Sequence, residues 1–210
     1  MRYKAALFDM DGVILDSEPL HIGAFQATLK QYGHNLTDLD YKNHFAGKTD
    51  EAGFESYFNF VNENIDFPVI MDEKARMYLA MASDQLVAYP GVVALIKRLS
   101  RKIPLALVTG SLREEANVAM RAFNIDNCFA STITAEDIMH SKPSPEGYLK
   151  AARSLGVMPA DCVIIEDAPS GVKAAKNAKI TCIAVTNTHS AMELAEANIV
   201  VEDLTYGLFE

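Results

Sequence analysis

Short apolar runs punctuate this sequence, and each stops at polar residues before a helical pattern begins. Lys4 to Phe8 ends at Asp9, Pro104 to Val108 ends at Thr109-Gly110-Ser111, and Cys162 to Ile165 ends at Glu166-Asp167. Thr181 to Val185 is a fourth run and Ile199 to Val201 a fifth. Continuous apolar runs, unlike alternating ones, suit strands covered on both faces, as in a parallel sheet. Amphipathic helix patterns lie between them, at about residues 91–100, 113–123, 145–155 and 171–178. Ser144 reads as an N-cap with Pro145 at the first helical position. The expected fold is α/β, with a doubly wound, mainly parallel, Rossmann-like sheet as its core. Half of the 210 residues are hydrophobic, enough to bury such a core.

Residues 17–86 break the rhythm. Pro19 to Tyr32 and Asp72 to Leu86 carry apolar residues at helical spacing, with Asp72 as a candidate cap. Phe45, Phe54, Tyr57, Phe58 and Phe60 supply bulky core material between them. The reading is an all-helical cap inserted after the first strand, with residues 1–16 and 87–210 forming the catalytic core. The alternative is that these helices pack on the sheet as part of one domain.

Ligands of open α/β sheets bind beyond the carboxyl ends of the strands. The polar groups expected there are Asp9, Asp11, Thr109, Ser111, Glu166 and Asp167, joined by Lys142 from Ser141-Lys142-Pro143. One lysine cannot balance four carboxylates in a crevice. Either some are protonated or a hard cation sits among them. Oxygen donors without His or Cys fit Mg²⁺ and a substrate phosphate. In Asp9-Met10-Asp11-Gly12 the two aspartates start on one face of a strand end. Gly12 then permits a sharp turn that separates their roles, one attacking phosphorus and the other handling protons. An isolated match of this kind is ordinary turn chemistry.

The match is not isolated. Ala6 to Ile14 resembles the first motif of the haloacid dehalogenase-like superfamily, and Val108-Thr109-Gly110-Ser111 the second. Ser141-Lys142-Pro143 is similar to the third, and Ile164 to Gly171 to the fourth, in the right order across the chain. The insertion stands where the helical-cap group of phosphatases and β-phosphoglucomutases has it. The resemblance implies Asp9 as a nucleophile that forms an aspartyl-phosphate, and Asp11 as general acid and base. It implies Mg²⁺ held by Asp9, the Asp11 backbone and Asp167, with Glu166 a further ligand or a support. Thr109, Gly110 and Ser111 would hold phosphate, and Lys142 would neutralise charge. His21, in the run Asp16 to His21, would lie at the cap hinge and bear on substrate, and Arg113 would reach the site mouth. Ser170 is expected to cap a helix. The cap is expected to act as a lid that selects the leaving group.

Around Phe45-Ala46-Gly47-Lys48-Thr49-Asp50 the mutase pattern has a basic residue before the glycine and an arginine three after it; this chain has Ala46 and Asp50. A phosphatase of small phosphorylated metabolites is therefore preferred over a phosphomutase, with Lys48 or Arg76 as possible substitutes for the arginine. A phosphoacceptor module without turnover is a third reading. The net charge of −9 argues against nucleic acid or an anionic membrane as partner. The run Ala5-Ala6-Leu7-Phe8 before Asp9 is too short for a signal-peptide core, and no apolar stretch is long enough to span a bilayer. Three cysteines without metal or disulfide spacing suit a reduced, cytoplasmic setting. The expected state is a monomer or weak dimer.

Overall fold

The computed structural model describes residues 1–46 and 48–210, with the side chain of Ser83 set aside. Gly47, in the segment compared with the mutase pattern, lies outside the described residues. In chain order the strands are β1 Ala5–Phe8, β2 Leu15–Asp16, β3 Val87–Ala88, β4 Leu105–Val108, β5 Ser131–Ile133, β6 Cys162–Glu166, β7 Thr181–Val185 and β8 Ile199–Val201. The helices are α1 Glu18–Gln31, α2 Asp38–His44, α3 Asp50–Val61, α4 Phe67–Gln85, α5 Val92–Leu99, α6 Arg113–Ala122, α7 Glu146–Ser154 and α8 Pro169–Ala178. Six strands form one sheet in the order β5-β4-β1-β6-β7-β8, and every pairing in it is parallel.

The apolar runs are continuous because each strand feeds two cores. Ala6 and Phe8 of β1, Leu105 and Leu107 of β4, and Val163 and Ile165 of β6 join one cluster, with Val92, Ile96 and Leu99 of α5. Ala5 and Leu7, Ala106 and Val108, and Cys162 and Ile164 join the other, with Tyr148 of α7 and Val172 of α8. Alternate side chains of a strand point to opposite faces, so burying both faces requires apolar residues at every position. Full burial of each large aliphatic side chain contributes about 1.5–3 kcal/mol.

The chain divides into two compact units, Met1–Ser17 with Leu86–Glu210, and Glu18–Gln85. Among the described residues the regular structure of the second is helical, and it packs Phe25, Leu29, Phe45, Phe54, Tyr57, Phe58 and Ile70 together. Phe60 departs from its expected place, being 66% exposed. Phe54, Tyr57 and Phe58 share one face of α3, and Phe60 lies two residues past that face, beside the His44 ring at 4.9 Å. No described helix is long and apolar enough to cross a membrane.

Several boundaries differ from the sequence reading. The edge strand β5 was not anticipated, because Ser-Thr-Ile lacks a continuous apolar run. Helix α4 starts at Phe67, which leaves Asp72 inside it rather than at its cap. Ala168 caps α8, with Pro169 and Ser170 in its first turn, so Ser170 is not the cap. Pro145 caps α7, while the Ser144 hydroxyl accepts from the Glu146 amide at 3.3 Å.

Candidate active site

The strand ends bring the first group of residues together. The Asp9 amide donates to the Ile165 carbonyl at 3.0 Å, carrying the β1–β6 pairing one residue past β1. The amides of Val13, Ile14 and Leu15 then converge on the Met10 carbonyl, and Gly12 takes a φ of +77°. A Cβ at Gly12 would lie 1.9 Å from Asp167 Oδ2, so this position has no room for a side chain. The turn separates the two aspartates. Asp9 is buried, and its Oδ1 lies 2.8 Å from Lys142 Nζ. Asp11 is half-buried and accepts from Ser17 Oγ at 2.6 Å, Ser111 Oγ at 2.7 Å and Thr109 Oγ1 at 3.3 Å.

Lys142 bridges to the end of β6. Its Nζ lies 2.7 Å from Glu166 Oε1, which also accepts from Tyr148 Oη at 2.6 Å. Glu166 Oε2 accepts from the amides of Asp167 and Ala168 at 3.0 and 3.1 Å. Both oxygens of Glu166 thus have protein donors. Burial opposes its ionisation, but Lys142 and these donors outweigh burial and hold the carboxyl below its usual range. Asp9 goes the other way. Burial, reinforced by repulsion from Glu166, Asp167 and Asp11, lifts it well above the ordinary carboxyl range despite Lys142. Asp167 is pushed up to about 6, chiefly by burial and then by Glu166.

Two carboxyls that resist ionisation mark a deficit of positive charge. Asp9, Glu166 and Asp167 each offer an oxygen within 4.8 Å of the others, and all three are buried. Asp167 Oδ1 is buried without any hydrogen-bond partner. A buried acceptor left unpaired is costly, and a cation would satisfy it. An all-oxygen donor set of this kind fits a hard divalent ion such as Mg²⁺.

The remaining expected residues lie as follows. Thr109 ends β4, and its amide donates to the Ile133 carbonyl at 2.9 Å. Its hydroxyl accepts from the Ser111 amide at 3.0 Å, a local turn and not a helix cap, and Gly110 is exposed between the two. Arg113 pairs with Asp137 and hydrogen-bonds Thr134 Oγ1 at 3.3 Å. His21 belongs to the helical unit, where it stacks on Tyr78 at 4.4 Å and its Nδ1 lies 2.8 Å from Lys74 Nζ. Lys74 is fully buried and forms an ion pair with Asp50 at 2.7 Å. Of the suggested substitutes for the mutase arginine, Lys48 bonds Ser56 Oγ at 3.1 Å and the Asn43 carbonyl at 3.3 Å, and Arg76 bonds the Asp72 carbonyl at 3.4 Å.

Sequence reasoning missed Tyr148, Ser17, Lys74 and the turn at Asn187-Thr188-His189. Tyr148 reads as one more core residue on the apolar face of α7, and only the fold shows its hydroxyl at Glu166. Gly171 could be read only as part of a motif. A Cβ there would lie 1.7 Å from Glu166 Oε1. Gly171→Ala is therefore expected to destabilise the protein by about 1–3 kcal/mol, although alanine is the better helix former. Thermal unfolding of the variant checks this; an unchanged or raised melting temperature would show that Glu166 moves aside freely.

The architecture and site together define an α/β class with buried carboxylates and one lysine gathered at its strand ends, a donor set that fits a hard cation. The haloacid dehalogenase-like hydrolase family matches residues 6–185, and the chain belongs to it. It is an enzyme of the phosphatase kind. It is 32% identical over 97% of its length to the validoxylamine A 7'-phosphate phosphatase of Streptomyces hygroscopicus subsp. limoneus, covering 95% of that protein. It is 31% identical over 94% of its length to a phosphorylated carbohydrates phosphatase of Thermotoga maritima, covering 92% of that protein. Among solved structures it resembles CbbY from Rhodobacter sphaeroides in complex with phosphate, at 25% identity and a TM-score of 0.84, covering 96% of this chain and 94% of that one.

Proposed function

We propose that this enzyme hydrolyses the phosphomonoester of a small sugar or sugar alcohol through an aspartyl-phosphate on Asp9, with Mg²⁺ as its cation. The observation that carries the reading is the division of labour between two aspartates two residues apart. Asp9 is buried against Lys142, while Asp11 is half-buried and turned onto three hydroxyls. Asp9 attacks phosphorus, the bond to the leaving oxygen breaks, and Asp11 delivers a proton to that oxygen. Asp11, now a carboxylate, takes a proton from water as the water attacks phosphorus; phosphate leaves and Asp9 is restored. Lys142 compensates charge at Asp9 and the phosphate, and Thr109, Gly110 and Ser111 hold phosphate oxygens. The Asp9 carboxylate, the Asp11 carbonyl and Asp167 would hold the cation, which supplies charge neutralisation at the phosphate. Glu166 orients Lys142 and is assigned no direct ligand role, because both its oxygens are already engaged.

The substrate class rests on the relatives named above, whose names specify phosphorylated carbohydrates and validoxylamine A 7'-phosphate. Asp50, paired with Lys74 where the mutase pattern has arginine, weighs against gripping a second phosphate. The three free cysteines suit a reducing, cytoplasmic setting.

Phosphate release from a panel of sugar, polyol and nucleoside monophosphates, with Mg²⁺ or with chelator, tests the proposal. The expected result is metal-dependent turnover that is fastest on the sugar and polyol esters. Interconversion of sugar phosphates on adding a bisphosphate, without net phosphate release, would replace hydrolysis by mutase chemistry.

A further inference from the structure

The turn after β7 binds two of the motif segments from a third direction. Asn187 Nδ2 donates to the Gly12 carbonyl at 2.7 Å. The next residue, Thr188, bonds through its hydroxyl to Asp167 Oδ2 and lies 3.3 Å from the Asp167 carbonyl. His189 Nδ1 lies 2.8 Å from that hydroxyl and 3.1 Å from the same carbonyl. None of these three side chains belongs to a motif that the sequence reading used.

A hydroxyl has one proton and two lone pairs. Of the groups around Thr188 Oγ1, the Asp167 carbonyl can only accept, and so can Oδ2 in the carboxylate form that would hold a cation. His189 Nδ1 must carry a proton to approach both that hydroxyl and the carbonyl favourably. The imidazole N–H then occupies a lone pair of Oγ1, and the single hydroxyl proton is left to point at Asp167 Oδ2. The consequence for Asp167 is asymmetric. Oδ2 is satisfied and fixed, and Gly12 leaves it the space that a Cβ would fill. Oδ1 is buried and has no partner.

We infer that Thr188, aligned by His189, is a positioning residue that fixes the rotation of the Asp167 carboxylate and so presents Oδ1 to the cation. This rests on the proposed function, which places Asp167 among the cation's ligands. Groups that orient a ligand from behind typically alter metal affinity by about 10–100-fold when removed. Thr188 as a residue is exposed, so substituting it leaves the core intact.

The test is Mn²⁺ binding to the full chain, read from the spin resonance of the free ion, in the wild type, Thr188→Val, Thr188→Ser, His189→Ala and Asp167→Asn. Thr188→Val is expected to weaken binding about tenfold or more, Thr188→Ser to bind like the wild type, and His189→Ala to lie between them. The metal-free melting temperature of Thr188→Val should stay that of the wild type. Its loss should appear in the Mg²⁺ concentration for half-maximal activity and not in KM for the phosphomonoester. Unchanged binding by Thr188→Val, or failure of Thr188→Ser to restore it, overturns the inference while leaving the cation centre standing. Equal binding by wild type and Asp167→Asn, or none by either, overturns it by removing Asp167 from the cation site, and the metal part of the proposed function falls with it.

Discussion

With Asp9 as the proposed nucleophile, Asp9→Asn is expected to stop phosphate release almost completely, with kcat falling on the order of 10⁴-fold or more, the loss typical when a covalent nucleophile is removed. The amide matches the carboxylate in shape, so the fold around it should persist, and Lys142 keeps its second partner Glu166 at 2.7 Å. A further consequence separates this variant from ordinary damage. Burial and three neighbouring carboxylates raise the Asp9 carboxyl in the folded protein. A raised folded-state value means that the native state binds the proton more tightly than the unfolded chain does. Stability from this group is fully present below the ordinary carboxyl value and is lost as pH rises through the folded value. Without divalent cation, Asp9→Asn should therefore melt at or above the wild type at neutral pH, and the gap should close on acidification. Melting curves of both proteins in chelator across that range check the sign. An Asp9→Asn protein that melts below the wild type at neutral pH, with the deficit vanishing on acidification, would show instead that the site stabilises Asp9 as a carboxylate.

Lys142→Met is expected to have the largest effect on stability. The ammonium lies 2.8 Å from Asp9 and 2.7 Å from Glu166, and the Glu166 side chain is 0% exposed. Removing one partner of a buried ion pair leaves an uncompensated charge and costs about 3–5 kcal/mol. For a chain of this size that is a fall in melting temperature of roughly 6–20 °C. Turnover should fall as well, because Asp9 loses its cationic neighbour and, in the proposed function, the phosphate loses its contact with Lys142. Urea unfolding alongside phosphate release measures both. A loss under 1 kcal/mol would mean that Glu166 takes up a proton readily when Lys142 is gone, and that Tyr148 and the amides of Asp167 and Ala168 suffice to hold it.

The two variants probe different links in one arrangement. Asp9 is the proposed nucleophile; Lys142 and Glu166 set the field around its carboxyl. Tyr148 and Gly171 act one step further out, the first by donating to Glu166 and the second by leaving room for it. A sheet of parallel strands supplies this nesting readily, because neighbouring strand ends stand side by side while their helices approach from both faces.

Much of this was legible without coordinates. Strands covered on both faces must be apolar at every position, so β1, β4, β6 and β7 declare themselves, and the polar residues that end them must cluster. That reasoning reaches Asp9, Asp11, Thr109, Glu166 and Asp167, and the deficit of positive charge among them. β5 escaped it because an edge strand of three residues needs no continuous apolar run. Phe60 was misplaced because hydrophobicity alone does not say which side of a helix a residue occupies; its offset from Phe54, Tyr57 and Phe58 does.

What the sequence determined by itself is the order of the continuously apolar strands and the helices between them, and the residue types at the strand ends, since these follow from local periodicity and from the chemistry of carboxylates, glycine and lysine. What only the tertiary structure decided is which oxygen faces which donor. Asp11 turns onto Ser17, Thr109 and Ser111, Glu166 is saturated by Lys142, Tyr148 and two amides, and Asp167 keeps Oδ1 free because Thr188 holds Oδ2. The side-chain pairs among them join residues from 6 to 100 positions apart. The direction of a side-chain hydrogen bond depends on where the fold puts the partner, and no local pattern in the chain encodes it.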